Sequence, residues 1–580
     1  MSSPLRFART TVRTTVRTTA RTTARTIAST IAITSALAAI GCTAGRAPEP
    51  RTTTEADITA EDLRQRLFLI ADDSMMGRES GSLGNYKTAE YVASEFKRLG
   101  LEPAGDNGTY FQTVPFWKAA VDPQSRLTAG TVALDVGRDF LPVQFAASAK
   151  SLDGVATVYG GPATDSARWI SPAAATGKVV VLDLPAGATM RESQYRSARW
   201  RSAATVALVV LDVVGAETIA TIKEGRPVAD TSRVAAAMPT LWISRRAAGV
   251  ILGGDPATLT PGASGAMLRG RFDISRTPVE HPARNVVAIL RGSDPALRGQ
   301  YVALTAHNDH VGYDHAPVDH DSLRAVNRVL RPMGADSPVR PPSAAEWTQI
   351  RTLLDSLRKM NPPRLDSIRN GADDDGTGTV AILEIAEAMS RGGVRPRRSI
   401  LFVNHVGEEA GLLGSAWFTD HPTVPIDSIV AEIDQDMTGR GRADDFPRGG
   451  TGAGSPTYLE VIGARRLSRE FGDSVEAANA RQSVPFVFDY TFDAPGHPLQ
   501  YYCRADHYNY ARYGIPALAM SRGEHLDYHQ VTDEAQYIDY PNFMRVTRMV
   551  HAAALSIANM AHRPKLDAPK PKDPHAQCRQ

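Results

Sequence analysis

The chain has 580 residues, 42% of them hydrophobic and 22% charged, with a formal net charge of +2. That length exceeds one ordinary domain, and the composition excludes a disordered or fibrous chain. Six of the 65 basic residues (Arg6, Arg9, Arg13, Arg17, Arg21 and Arg25) lie within residues 1–41, which hold no acid, leaving 59 bases against 63 acids elsewhere. A body with that balance offers no nucleic-acid surface.

The Arg/Thr-rich start leads into an apolar run, Ile27 to Ile40, too short for a membrane span. Residues 1–42 read as an export signal, with cleavage near Ala39 or a low-complexity tail as the alternatives. The run ends at Ala39-Ile40-Gly41-Cys42, similar to a bacterial lipoprotein cleavage box with Ala39 where Leu is usual. Cys42 is therefore the candidate lipidation site. The expected location is periplasmic or cell-surface, with attachment to a membrane through that lipid. Residues 43–56 form a polar linker. Of the two other cysteines, Cys503 reads as a small core residue and Cys578 as part of a frayed tail, although an oxidising compartment would let them pair.

Leu63, Leu67, Leu69 and Ile70 predict a first helix. Ala89, Val92, Ala93, Phe96 and Leu99 recur at helical spacing in a second, over Tyr86 to Leu99, with Gly100 as its stop. From 119 to 278 short Val/Ile/Leu runs alternate with Gly/Ala/Pro turns, which predicts a separate β-rich domain. From Asn285 to about Met560 the order is strand, loop, helix, strand. The continuous apolar runs Val286–Leu290, Tyr301–Ala306, Ile400–Val406, Ile429–Ile433 and Ala517–Met520 predict strands buried on both faces. Thr379 to Met389 predicts a buried helix. The fold class is α/β, with a mixed, mostly parallel sheet covered by helices on both faces. Segment 315–370 is an insertion with a helix over Ala344 to Met360. Its His315, Asp319, His320 and Asp321 read as a solvated loop near the cleft mouth rather than ligands for an extra ion. The Pro/Lys-rich residues 564–580 predict a disordered tail.

Five short segments concentrate the chemistry. They are His307-Asn308-Asp309, Gly371-Ala372-Asp373-Asp374-Asp375-Gly376-Thr377-Gly378, Gly407-Glu408-Glu409, Asp436-Met437 and Tyr528-His529. Zinc accepts imidazole nitrogen and carboxylate oxygen, and two zincs about 3.5–4 Å apart can share a water and a carboxylate. The glycines around Asp374 permit a tight turn for a shared ligand. Adjacent Glu408 and Glu409 can divide labour, one binding metal and one staying free as general base and later acid. Asp374, Glu408, Glu409 and Asp436 bring four negative charges into one cleft, which two zinc ions would neutralise. His307, Glu408, Glu409 and Asp436 each follow a predicted strand closely, where sites form in α/β sheets.

In this order the segments resemble the zinc-dependent exopeptidase family of bacterial leucyl aminopeptidase, aminopeptidase Y and glutamate carboxypeptidase II. The family's Asp-x-x-Ser-Gly motif appears as Asp374-Asp375-Gly376-Thr377-Gly378, with Thr for Ser. Arg504-Ala505-Asp506-His507 is similar to its Ser-Asp-His region, with Ala505 for Ser. Gly77-Arg78-Glu79-Ser80-Gly81 fits its N-terminal helices. The resemblance implies a peptidase domain over 57–118 and 279–563, with 119–278 as an inserted protease-associated domain. It implies one zinc on His307 and Asp436, another on Glu409 and His529, and Asp374 bridging through a loop whose 374–375 peptide is cis. Glu408 would be the base, and Asp309, Asp375 and Asp533 would support the ligands, with Asp309 orienting His307. The implied activity is an exported aminopeptidase acting on peptides. The alternatives are a carboxypeptidase of the same family, a single-zinc glutaminyl-cyclase-like acyltransferase and a non-catalytic binding protein. The aromatic residues Phe486 to Phe492, Tyr501 and Tyr502 are equally readable as pocket lining or core. Side-chain specificity and oligomeric state are left open.

Overall fold

The computed structural model describes residues 54–580 apart from 144–149, 189, 230–238, 332–336, 338–339, 361, 394, 447–453, 577 and 579. Cys42, the export signal and nearly all of the linker lie outside the described residues. No described helix is long and apolar enough to cross a membrane.

The continuous apolar runs become the strands of a nine-stranded sheet. At its centre Ser399–His405, Tyr301–His307, Ile429–Gln435 and Ala517–Ser521 run parallel in that spatial order. The neighbours Ala283–Leu290 and Tyr458–Ile462 pair antiparallel to the two flanks of this group. The sheet is therefore mixed, its parallel part confined mainly to the middle. Every residue of Tyr301–His307, Ser399–His405 and Ile429–Gln435 is buried, because helices cover both faces.

One face packs against helices Ala60–Ile70, Leu83–Arg98, Gly378–Arg391 and Tyr540–Ala558, through residues such as Leu67, Phe96, Leu383 and Phe543. The other face packs against Leu413–Asp420 and His507–Ala511, through Phe418 and Tyr510. Buried Arg66 binds Glu384 and Glu387, each at 2.6 Å, and so ties the first helix to Gly378–Arg391.

Between Phe116 and Pro278 lie three smaller sheets with cores of their own. Their Ala216–Glu224 helix and the turn after it approach the C-terminal ends of the parallel strands of the large sheet.

Two expectations are corrected here. Residues 564–580 are not a loose tail. Cys578 is disulfide-bonded to Cys503, Lys570 pairs with Asp427 at 2.5 Å, and Arg512 holds the Pro574 carbonyl at 3.2 Å. Covalent and ionic anchors override a composition that alone favours disorder. In segment 315–370 the expected helix is present as Ala344–Arg358, but the stretch from His315 to Asp321 is strand and helix rather than a solvated loop, with His320 and Asp321 buried. The segment contains helices His320–Leu330 and Ala344–Arg358 and a strand pair, Tyr313–Asp319 with Leu365–Ile368. Of the aromatic residues, Phe486 and Tyr502 are core, and Phe488, Tyr490 and Tyr501 pack partly buried against them.

Candidate metal centre

The parallel strands end on one side of the sheet, and their exits supply the site. His307 is the last residue of its strand. Glu408 and Glu409 follow Ser399–His405 across Gly407, whose φ of 79° is left-handed. A Cβ on Gly407 would also lie 2.3 Å from the Phe116 ring, so glycine alone fits this turn. Asp436 directly follows Ile429–Gln435, and His529 lies on the loop beyond Ala517–Ser521. Asp374 comes from the irregular turn leading into Gly378–Arg391, and its peptide to Asp375 is cis.

All six side chains converge. His307 Nε2 lies 3.3 Å from Asp374 Oδ1, 3.7 Å from Asp436 Oδ1 and 4.0 Å from Glu408 Oε2. His529 Nε2 lies 3.0 Å from Asp374 Oδ2 and 3.0 Å from Glu409 Oε2. The two oxygens of Asp374 thus face different imidazoles. One donor group forms around His307, Asp374 and Asp436 and another around Asp374, Glu409 and His529.

The second group includes a residue that sequence reasoning missed. His310 Nδ1 lies 2.8 Å from Glu409 Oε1 and 3.6 Å from Asp374 Oδ2. The segment His307-Asn308-Asp309 ends one residue short of it. A histidine three positions after a ligand was the available signal.

The supporting residues hold the loops by backbone contacts. Asp375 Oδ2 accepts from the His307 N–H at 3.1 Å, and its Oδ1 accepts from Gly378 at 2.8 Å and Met437 at 3.4 Å. One carboxylate therefore joins three loops. Asp533 Oδ2 accepts from the N–H groups of Asp373 and Asp374 at 3.0 and 3.2 Å, while its Oδ1 meets Arg440 at 3.1 Å. Asp309 differs from the expected role. The nearest acceptor to His307 Nδ1 is the Asp309 backbone carbonyl at 3.1 Å, with the carboxylate at 3.7 Å. The Asp309 carboxylate instead accepts from the Glu408 N–H at 3.2 Å and the Ser80 hydroxyl at 2.8 Å, so it places the glutamate turn. Asp506 lies apart from the donor groups and bonds Ser415.

Arg78 supports the site in a way its sequence position does not announce. It is 1% exposed. Its guanidinium donates to the carbonyls of Ile70 at 3.1 Å, Asn308 at 3.3 Å, Gly371 at 2.8 Å and Asp374 at 3.4 Å, and to that of Asn370. It braces the His307 loop against the Asp374 loop.

The electrostatics follow from crowding acids in a buried space. Burial, with Glu409, Asp436 and Asp506 adding to it, pushes the Glu408 carboxyl well above the usual range against the pull of His307. Burial, with Asp374 and Glu409 adding, also raises Asp436 although His307 opposes it. Burial opposes ionisation of Asp374 as well, but His307, His310 and His529 hold it well below the usual range. Against burial and the Asp374 charge, His529 and His310 hold Glu409 down to about 2. Burial disfavours a charged His529, yet Glu409 and Asp374 lift it to about 10.

These residues fit divalent cations. His307 Nε2, Asp374 Oδ2, Glu409 Oε1, Asp436 Oδ1 and His529 Nε2 are buried atoms without a directed hydrogen bond. Imidazole and carboxylate donors at these spacings are the set zinc takes. Elsewhere, His320, Asp366 and Glu534 also group, but Arg364 already pairs with Glu534 at 3.0 Å.

Two cavities open beside the donors, of about 380 and 480 Å³. The first is lined by Glu79, Lys118, Arg226, His310, Arg369 and Glu409, and the second by Thr221, Trp242 and His529 among others. The segment between Phe116 and Pro278 therefore forms part of both walls.

A family model described as peptidase family M28 matches residues 285–554. Leucine aminopeptidase 1 of Penicillium rubens is 28% identical over 248 residues, covering 41% of this chain and 60% of the relative. Leucine aminopeptidase 1 of Coccidioides posadasii is 31% identical over 205 residues, covering 32% of this chain and 47% of the relative. The chain spans about half the length of these curated relatives. Among solved structures, the aminopeptidase from Aneurinibacillus sp. strain AM-1 aligns with a TM-score of 0.48 at 15% identity, covering 86% of this chain and 93% of that one. The zinc aminopeptidase from Bacillus subtilis aligns with a TM-score of 0.48 at 16% identity, covering 86% and 95%. The stretch 285–554, which holds all the donor residues described above, is thus similar to peptidase family M28.

Proposed function

We propose that this protein is a two-zinc aminopeptidase that removes N-terminal residues from peptides. The observation that supports this most is the division of Asp374, with Oδ1 facing His307 at 3.3 Å and Oδ2 facing His529 at 3.0 Å. A carboxylate set between two imidazole-bearing donor groups is the arrangement a bridging ligand needs.

His307 and Asp436 would hold one ion, Glu409 and His529 the other, and Asp374 both. When bound, the ions supply Lewis acidity to the scissile carbonyl and make the attacking water more acidic. Glu408 has the position of the general base. Its carboxylate stands beside the His307 group, no side chain among the described residues donates a hydrogen bond to it, and the Asp309 contact to its N–H fixes the turn. It takes the proton of the attacking water and returns it to the departing amine. Asp375 and Asp533 keep the ligand loops in register while this happens.

The leucine aminopeptidases matched in sequence favour an N-terminal substrate. A carboxypeptidase is the second reading, because Arg226 and Arg369 line both cavities and a guanidinium suits a C-terminal carboxylate. Cleavage of free-amine peptides and arylamides, with N-blocked peptides left intact, supports the first reading. Cleavage of N-blocked peptides from the C-terminus replaces it with the second. One zinc per chain with pyroglutamate formation from N-terminal glutamine would point to the cyclase reading instead.

We also infer export, with a lipid on Cys42. The Cys503–Cys578 disulfide agrees with an oxidising compartment. Incorporation of labelled fatty acid into the wild type but not into Cys42→Ser tests the lipid; equal labelling, or none, rejects it.

A further inference from the structure

We propose that His310 is a direct metal ligand, so that the two ions occupy unequal sites: one closed by four protein residues and one left open. This rests on the two-ion reading above and goes beyond the ligand set that reading requires.

Four residues surround the second position. His310 Nδ1 lies 2.8 Å from Glu409 Oε1 and 3.6 Å from Asp374 Oδ2, and His529 Nε2 lies 3.0 Å from an oxygen of each of the same two carboxylates. Tetrahedral zinc with bonds of about 2.0–2.1 Å needs donors about 3.3–3.4 Å apart. The observed separations bracket that value. Among the described residues, those that converge around the first position are His307, Asp374 and Asp436.

His310 is placed for this by its backbone. Its N–H donates to the Arg78 carbonyl at 3.1 Å, and it pairs in a short bridge with Glu79. Its ring lies against Gly371, where φ is 55° and a Cβ would sit 2.4 Å from the ring carbon Cγ. The residue is 1% exposed, and neither ring nitrogen completes a directed hydrogen bond. A buried imidazole held by its main chain, with Nδ1 turned to two carboxylates, is what a ligand requires.

The inequality assigns different work to the two positions. A position closed by four protein donors resembles a structural zinc site, whereas one with three keeps a place for water or substrate. Glu408 stands on the three-donor side, 4.0 Å from His307 Nε2. The His310 ion therefore anchors the Asp374 and Glu409 loops, and the His307 ion faces the reacting water.

The test uses the full-length wild type, His310→Ala and His310→Asn, each stripped and then titrated with Zn2+ against a chromophoric chelator. Circular dichroism checks the fold. The wild type should bind two ions. Each variant should lose at least about 10-fold in affinity at one site and keep the other. X-ray absorption on the wild type provides a readout that needs no variant: zinc should carry an average of three imidazoles per two ions. Two imidazoles per two ions, or variants that bind both ions as tightly as the wild type, overturn the proposal. A wild type that binds only one ion overturns the two-ion reading instead, so the two failures are distinguishable.

Discussion

Replacing Arg78 by methionine should damage stability and metal binding together. The side chain is 1% exposed and its guanidinium donates to five backbone carbonyls, those of Ile70, Asn308, Asn370, Gly371 and Asp374. Methionine fills similar volume and donates nothing. Each buried acceptor left unpaired costs about 1–3 kcal/mol. Local shifts and entering water will recover part of that sum, so the expected loss is about 3–5 kcal/mol, the usual range for breaking a buried charged contact. Asn308 borders one ligand loop, and Gly371 and Asp374 belong to another. Zinc affinity should therefore fall about 10–100-fold, as it does when groups that orient ligands are removed. Arg66→Met is the control. Arg66 is equally buried and binds Glu384 and Glu387, neither of them among the donor residues, so its loss should cost stability and leave zinc affinity unchanged. Denaturant unfolding and competitive zinc titration measure both quantities. An Arg78→Met protein with wild-type zinc affinity, or an Arg66→Met protein that loses as much, would refute the bracing role.

Glu408→Gln should retain two zinc ions and lose turnover by about 10²–10⁴-fold, measured as kcat on an aminoacyl arylamide; full activity would remove Glu408 from the base position. Thorough chelation should lower the melting temperature, since Asp374, Glu408, Glu409 and Asp436 are then left crowded without a cation, and a melt unchanged by chelator would contradict this. Burial, reinforced by Asp489 and Glu524, pushes Glu460 up to about 8, so the folded chain keeps a proton that the unfolded chain releases above its ordinary carboxylate pKa. Stability should fall between about pH 4.5 and 8 by more than about 1 kcal/mol from this group, and Glu460→Gln should flatten that portion; parallel profiles would refute the assignment.

The residues that bring chemistry were readable because they stand at the ends of strands with an unmistakable pattern. His307, Glu409 and Asp436 follow runs that are apolar throughout, and such runs have no other stable place than the middle of a covered sheet. Asp374 was readable because three adjacent acids between glycines make little sense without a cation. What was not readable depends on contacts distant in sequence. Arg78 and Arg440 are ordinary arginines until the fold wraps carbonyls around one and Asp445, Asp527 and Asp533 around the other. His310 looks like any histidine in a loop until Gly371 leaves space for its ring. Composition misled at the C-terminus, where one disulfide and a few ion pairs suffice to seat a polar segment.

The central claim is that these loops enclose a pair of divalent cations shared through Asp374. Anomalous diffraction at the zinc edge, on crystals of the full-length protein grown with zinc, tests it most directly. The account predicts two peaks about 3.5–4 Å apart on either side of the Asp374 carboxylate, one beside His307 and Asp436 and the other beside Glu409 and His529. A single peak, or a pair that Asp374 does not bridge, would contradict it.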